Sequence, residues 1–488
     1  MHFNYKIIRR TISIILLIIG IAMIFPMGCA VALNENSPAQ GFFFSSVCCI
    51  ALGAIGLRFS HYKTTKIKSG ESYLIAFISW ASVSIIGTFP YLLSGCGYSI
   101  ADSFFESASG WTTTGAWVIP FDTLPTSVVL WKSMTNWLGG MGLLLLAISF
   151  FPVLGAEGHK MATAEMPGTA FEKLSSRTSQ TATISYLIYI VMTCVEFLLL
   201  LPSGLSPMEA LINTLSTIST AGLLNVNNCI GLHLTGYTKL IFAGFSIVGS
   251  VNFVMYFFLC TGKWKKVITN VELRVFLGLI LLGTVIISLS LYRNGQYDSL
   301  PEAFGNGFTQ TVAYSTTSGF EIDNLNNWPA VPKMILMILM LCGGCGNSTS
   351  GSIKIIRVVI FFKLIRRGIY KRIHPRAVRP VMLDNRPVSS ATASNVTVYI
   401  LLYFLVFVFS SIMFSLENLD METTFFTSLA CMTNNGTGFG RIIGGDFSIF
   451  SSFGRIYAAI LMLAGRLEFY AVIMLFSPSF WNSDRVKS

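Results

Sequence analysis

The sequence predicts an all-α polytopic membrane protein, with about ten helices that cross the bilayer and four shorter ones that enter it and turn back. Three observations carry this expectation. Only 11% of the 488 residues are charged while 53% are hydrophobic, against about 25% charged in a soluble globular domain. Apolar stretches of roughly 20 residues, each long enough for ~30 Å of hydrocarbon, recur along the chain. Past residue 70, one pattern of long stretch, short amphipathic segment and second long stretch is written four times. Disorder is excluded by the opposite excess, since 39 Phe, 17 Tyr and 8 Trp are far too much apolar matter.

The net charge of +11 is unevenly placed. Lys6, Arg9 and Arg10 precede the first apolar run, and Arg58, Lys63, Lys66 and Lys68 follow the second. Lys160, Lys173 and Arg177 follow the fourth, and Lys263, Lys265, Lys266 and Arg274 follow the sixth. A dense group from Lys363 to Arg386 follows the eighth, and Arg485 and Lys487 close the chain. Basic residues in every second connection are the positive-inside pattern, which puts both termini in the cytoplasm after an even number of crossings. The 363–386 group therefore reads as a cytoplasmic loop that touches anionic membrane lipid or a partner protein, and no nucleic acid is expected. Ala30-Val31-Ala32 imitates a signal-peptide cleavage site, but the apolar run from Ile12 to Leu33 is too long for a signal segment and is expected to be retained. Cys342-Gly-Gly-Cys345 has CxxC spacing without a second pair or a nearby His, so close backbone approach explains it better than metal or redox chemistry.

The first two apolar stretches and a basic connection fill residues 1–70, and the four units follow at 71–180, 181–268, 269–390 and 391–488. In each unit the short segment opens beside an acid, as in Asp102-Ser-Phe-Phe-Glu106, Met208-Glu209, Pro301-Glu302 and Met421-Glu422. Negative charge there complements a helix N-terminus. At about 10–13 residues these helices are too short to span and read as re-entrant. They end in Thr113-Thr114-Gly115, Thr220-Ala221-Gly222, Thr317-Ser318-Gly319 and Asn434-Asn435-Gly436. A basic residue then opens each second stretch (Lys132, Lys239, Lys333, Arg455), and ten residues further stands Gly142, Gly249, Gly343 or Gly465.

Irregular backbone at membrane depth must be buried in protein or line a watery cavity. Four such loops satisfy that rule together if they meet on one pseudo-fourfold axis around a central pore. Their carbonyls then face inward, and each preceding helix turns its negative C-terminal end to the same centre, which favours a cation. A glycine in each loop supplies the φ > 0 that consecutive inward carbonyls need. Rings of carbonyls replace the hydration shell of K⁺, so the expected K⁺ ligands are Thr113, Thr114, Thr220, Ala221, Thr317, Ser318, Asn434 and Asn435. The hydroxyls of Thr113, Thr220 and Thr317 offer a further layer of oxygen. Glycines that only allow tight helix packing would look the same singly, but four at matching positions favour a pore lining. K⁺ is then cargo, and no organic cofactor is expected.

These motifs resemble the superfamily of potassium transporters that includes TrkH, KtrB and HKT, with the TrkH family the closest in pattern. Trp137-Leu-Gly-Gly-Met-Gly142, Gly351-Ser-Ile-Lys354, Gly465-Arg-Leu-Glu468 and Phe476-Ser-Pro-Ser-Phe-Trp481 agree with it, over nearly the whole chain. The first two stretches match the extra helix pair of that family. The resemblance implies that Gly115, Gly222, Gly319 and Gly436 are selectivity-filter glycines. It also implies a homodimer in a bacterial inner membrane, controlled by a cytosolic ring of nucleotide-binding TrkA-type subunits. Two departures stand out. Asn434 replaces Thr in the fourth loop, and Thr437 stands where the family often has Pro.

Gate residues are expected in the third unit. After Met334–Leu341 the chain runs through Gly343, Gly344, Cys345, Gly346, Asn347, Ser348, Thr349, Ser350, Gly351 and Ser352. Such a run cannot hold a plain helix cheaply, at about 1 kcal/mol per glycine. It reads as a flap across the permeation path below the filter, which the resemblance also implies; a passive kink is the alternative. Arg466, near the middle of the last span, is a functional candidate by default. It is expected to bond the flap carbonyls as an electrostatic barrier, the alternative being a pair with Glu468. Lys354 suits either the gate or a snorkelling anchor. An alternating-access symporter, H⁺- or Na⁺-coupled and using the broken helix as its ion site, is the second transport reading. An enzyme is not expected, because no HExxH and no paired carboxylates lie in the apolar runs.

Overall fold

Four times along the chain a long helix is followed by a shorter one and then by a second helix. The computed structural model describes residues 5–60, 69–97, 99–142, 178–222, 235–376, 380–384 and 386–481. The basic connections expected at 61–68 and 143–177, with Arg379, Arg485 and Lys487, lie outside the described residues.

Helix α1 (Tyr5–Ala22) restarts as α2 (Ile24–Ala32), because Pro26 has no N–H to continue the ladder. Helix α3 (Asn36–Arg58) packs back on both. Unit 1 contains α4 (Ser69–Ile86), α5 (Thr88–Leu93), α6 (Ile100–Trp111) and α7 (Thr126–Gly140). Unit 2 has α8 (Thr178–Leu200), α9 (Pro207–Ile218), α10 (Gly236–Ser250), α11 (Phe253–Cys260) and α12 (Trp264–Thr269). Unit 3 has α13 (Val271–Arg293), α14 (Leu300–Ser315), α15 (Ala330–Cys342) and α16 (Ile355–Ile373). A hairpin of β1 (Met382–Leu383) and β2 (Arg386–Pro387) leads to unit 4, with α17 (Ser390–Ser415), α18 (Met421–Thr433), α19 (Ser452–Arg466) and α20 (Tyr470–Phe476). Among the described residues, six spans (5–32, 36–58, 70–93, 182–203, 271–293 and 390–415) are long and apolar enough to cross a membrane. Two more are bent pairs, α10 with α11 at 94° and α19 with α20 at 108°. The other two expected crossings are α7, whose continuation is not described, and α15 with α16, parted by residues 343–354.

The short helices α6, α9, α14 and α18 start where a side chain accepts from their free N–H groups. Ser99 takes the N–H of Asp102 at 3.1 Å, Ser299 that of Glu302 at 3.3 Å, and Asp420 that of Thr423 at 3.0 Å. Ser206 and Glu209 form a reciprocal capping box. Each cap contributes about 1 kcal/mol. The N–H and hydroxyl of Thr423 hold the Asp420 carboxyl below its ordinary value. At 16 residues α14 is a turn longer than the sequence suggested.

The second spans of units 2, 3 and 4 all break, where the sequence pointed only to the third, and α7 ends at Gly140. The breaks fall after Ser250, Cys342 and Arg466. Contacts of the span with its own short helix set the register: a Cβ at Gly139, Gly249 or Gly465 would stand 1.9, 2.5 or 2.5 Å from the carbonyl oxygens of Trp111, Ile218 and Met432. The partner of Gly249 and Gly465 in unit 1 is therefore Gly139, not Gly142. Lys132 accordingly sits about one turn deeper than its counterparts.

That shift changes what the basic residues hold. Lys239 donates to Asn306 at 3.5 Å, Lys333 pairs with Glu422 at 3.4 Å, and Arg455 pairs with Asp102. Each reaches from one unit to the short helix of the next, in the order 2 to 3, 3 to 4 and 4 to 1. Units 1 and 2 meet where Asn136 donates to Ser216 at 3.4 Å. Lys132, fully buried, instead pairs with Glu106 of its own unit and donates to the carbonyl of Ala116 at 2.9 Å. Glu106 accepts the N–H groups of Val118 and Ile119 at 2.7 and 3.0 Å, so this pair braces the chain leaving the first loop. Glu106→Ala is expected to strand the Lys132 ammonium and cost about 3–5 kcal/mol. A thermal melt in detergent checks this, and Glu106→Leu combined with Lys132→Met is expected to recover most of the loss.

Candidate functional site

Each short helix ends in the same hydrogen-bonded turn. The N–H groups of Thr114, Ala221, Ser318 and Asn435 donate to the carbonyls of Ser109, Ser216, Ala313 and Ala430 at 2.9–3.1 Å. The preceding residues, Thr113, Thr220, Thr317 and Asn434, donate to Gly110, Thr217, Tyr314 and Cys431 at 2.9–3.4 Å. This double closure is the Schellman motif, whose pivotal residue is left-handed. Here φ is +56°, +56°, +57° and +54° at Thr113, Thr220, Thr317 and Asn434. For a β-branched residue that is a costly conformation, about 1–2 kcal/mol, and Asn is among the few that tolerate it. Asn434 thus departs from the threonine pattern toward a residue that fits better. Gly115, Gly222, Gly319 and Gly436 follow at +75°, +86°, +64° and +76°. Each loop therefore has two left-handed residues, not the one expected.

The glycines close a ring. A Cβ on Gly115 would stand 1.9 Å from the carbonyl oxygen of Ala221, and one on Gly222 2.6 Å from that of Ser318. On Gly319 it would meet the oxygen of Asn435 at 1.9 Å, and on Gly436 that of Thr114 at 1.8 Å. Each loop presses its glycine against the carbonyl just before the glycine of the next, and the fourth returns to the first. The second and third residues of all four loops line one cavity of about 30 Å³, with Trp117, Phe121, Phe320, Glu321 and Thr437. That is room for a water-sized particle or two. Among its described lining residues Glu321 alone is ionisable.

Behind the ring lies the segment 343–354. It is not helical, and Gly343, Asn347, Ser352 and Lys354 have positive φ. Thr349 and Ser350 are fully buried. Cys345 N–H donates to Ser250 O at 3.0 Å, Thr349 N–H to Gly249 O at 3.1 Å, and Gly346 N–H to Glu272 at 2.6 Å. The segment is thus seated on the break of the second unit. Gly351 N–H donates to the Thr317 hydroxyl at 2.8 Å, joining it to the third loop. Thr220 likewise spends its hydroxyl on the carbonyl of Ser219 at 2.7 Å, so these two hydroxyls already have partners. Ser348 donates to Cys345 O at 2.6 Å. On its far side the segment borders a cavity of about 590 Å³, lined by Gly346, Asn347, Ser348, Ser350, Gly351 and Lys354 among others. Lys354 bonds Ser350 O within the segment instead of reaching outward.

Arg466 joins the segment to the first unit. It donates to Thr349 O at 2.8 Å and to Gly139 O and Gly140 O at 2.7 and 2.6 Å. One guanidinium therefore ties the segment to the end of α7, where the last helix carbonyls are open to partners outside the helix. Charge-assisted bonds of this kind contribute on the order of 1.5–3 kcal/mol each. Glu468 pairs with Arg357, not with Arg466. Gly343 and Gly344 fold against Ser352 and Ser350 at the start of the segment. Sequence reasoning missed the breaks in units 2 and 4, Glu272 and Glu321; the recurring late glycines carried a signal for the breaks alone. Arg466→Ala is expected to release Thr349 O, with amide exchange over 346–351 rising at least about tenfold as the bonds are lost; unchanged exchange would contradict the clamp.

The family model described as TrkH, a cation transport protein, matches residues 38–484. The Trk system potassium uptake protein TrkH of Salmonella typhimurium is 30% identical, over 99% of this chain and 100% of its own. The Trk system potassium uptake protein TrkG of Escherichia coli is 29% identical, over 98% and 99%. The crystal structure of the potassium transporter TrkH from Vibrio parahaemolyticus superposes with a TM-score of 0.88 at 26% identity, covering 98% of this chain and 100% of that one. On the matching fold, the family match over most of the length and the full-length relatives, this chain belongs to the TrkH family of cation transport proteins.

Proposed function

We propose that this chain takes up K⁺ across a bacterial inner membrane, with both termini in the cytoplasm, through a filter of backbone carbonyls from its four loops. The cyclic contact of Gly115, Gly222, Gly319 and Gly436 with the next loop's carbonyl carries the reading. It brings backbone oxygens of four loops to one cavity of ionic size, with no basic side chain among the described residues that line it. Carbonyl dipoles in such a ring substitute for water around K⁺, and four helix C-termini add to the negative potential. The relatives' names, potassium uptake proteins, point to the same cargo.

The segment 343–354 acts as the gate. It lies between the ring and the wide cavity at the opposite side of the pore, held shut by Arg466, whose charge also repels an arriving cation. Opening requires Arg466 to leave three carbonyls and the Gly351–Thr317 bond to part. A homodimer and nucleotide-binding subunits of the TrkA type, docked on the basic connections, are the proposed setting in which that happens. The family is one of transporters and not of enzymes.

Liposomes loaded with purified protein test the reading. ⁸⁶Rb⁺ uptake is expected to compete with K⁺ and hardly with Na⁺. Gly222→Ser or Gly319→Ser forces a side chain into a neighbour's carbonyl and is expected to lower K⁺ over Na⁺ preference about tenfold or more. An unchanged ratio argues against the filter. Deleting residues 346–350 is expected to raise basal flux; folded protein with reduced flux argues against the gate.

A further inference from the structure

Glu321 stands two residues beyond Gly319, in the chain leaving the third loop, and is buried. Its Oε1 accepts the Thr437 hydroxyl and the Tyr314 hydroxyl, the latter at 3.3 Å. Its Oε2 accepts the N–H of Gly444 at 2.9 Å. Thr437 directly follows the fourth-loop glycine Gly436. It is held from the other side as well: its carbonyl accepts the side-chain amide of Asn435 at 3.1 Å. Its methyl lies 3.1 Å from where a Cβ on Gly319 would be. The carboxylate, the hydroxyl and the two loop residues thus form one bonded chain across the boundary between the third and fourth loops.

The first loop has a comparable brace with one difference. Glu106 holds Val118 and Ile119 in place, and Lys132 balances its charge. Glu321 has no basic side chain within ion-pair distance among the described residues. A buried carboxylate without a counter-charge is expensive, and hydrogen bonds offset only part of that cost. Burial accordingly pushes the Glu321 carboxyl up to about 8, and its hold on Thr437, Tyr314 and Gly444 rests on hydrogen bonds.

We propose that Glu321 is a positioning residue for cation discrimination: through Thr437 it fixes the fourth loop against the third. This role presupposes the carbonyl ring proposed above. With the hydroxyl bonded, the peptides of Asn435 and Gly436 are held at one spacing from Gly319. Without it the loop relaxes, and a ring of loose spacing accommodates the smaller Na⁺.

The test is ⁸⁶Rb⁺ uptake into liposomes at increasing external Na⁺, for the parent, Glu321→Gln, Thr437→Val, the double variant and Thr437→Ser. Glu321→Gln and Thr437→Val are each expected to reduce Rb⁺ over Na⁺ preference about tenfold. The double variant is expected to fall no further than the more affected single, since both substitutions act through the one Glu321–Thr437 contact, which Gln weakens and Val abolishes. Thr437→Ser, which keeps the hydroxyl, is expected to stay within about twofold of the parent. Preference at the parent's level in both Glu321→Gln and Thr437→Val overturns the role of Glu321 while leaving the ring intact. A parent that shows no preference overturns the ring itself. Should Glu321→Gln fail to fold, Thr437→Val decides, because it preserves the shape of the side chain.

Discussion

The structure depends on one repeated contact, a glycine pressed against the carbonyl that precedes the glycine of the next loop. Gly115 meets Ala221, Gly222 meets Ser318, Gly319 meets Asn435, and Gly436 meets Thr114. With separations of 1.8–2.6 Å to a notional Cβ, no other residue fits without moving backbone. The contact is cyclic, so no loop can settle before its neighbours are in place. A ring of this kind also suits a chain that repeats its loop four times: the last closes on the first, and an open arc leaves carbonyls without neighbours at membrane depth.

Around the ring, charge follows the same sense of rotation. Lys239, Lys333 and Arg455 each reach to the short helix of the following unit, and Asn136 closes the remaining boundary. The second spans of units 2, 3 and 4 break, and in units 1, 2 and 4 Gly139, Gly249 and Gly465 approach the carbonyls of their own short helices. In the third unit the break has grown into the segment 343–354, and that segment occupies the space under the other three. Thr349 rests on Gly249, Gly351 abuts the carbonyl of Thr433, and Arg466 joins Thr349 to Gly139 and Gly140. The proposed gate is therefore a local elaboration of a feature common to units 2, 3 and 4.

Much of this was legible in the sequence, and the reasons differ by element. The spans follow from hydropathy and the alternating basic connections, because a helix in lipid leaves little choice. The four loops were found from repetition alone: Thr113 to Gly115 would say little, but its three counterparts fix the register. Arg466 was picked out by the expense of a cation within a span, and it does meet Thr349. What was not legible depends on three-dimensional closure. Left-handed Thr113, Thr220 and Thr317 follow no residue preference, since threonine resists that conformation. The register of unit 1 misleads because Lys132 is displaced by a turn to serve Glu106. Glu321 sits in a loop with no periodic signal, and its partner Thr437 lies more than a hundred residues away.

Crystals grown in a rubidium salt, measured for anomalous scattering, test the central claim most directly. The account predicts an anomalous peak on the axis of the ring, shared among the carbonyls of Thr114, Ala221, Ser318 and Asn435. Rubidium density found only elsewhere, with the four loops still in contact, would contradict it.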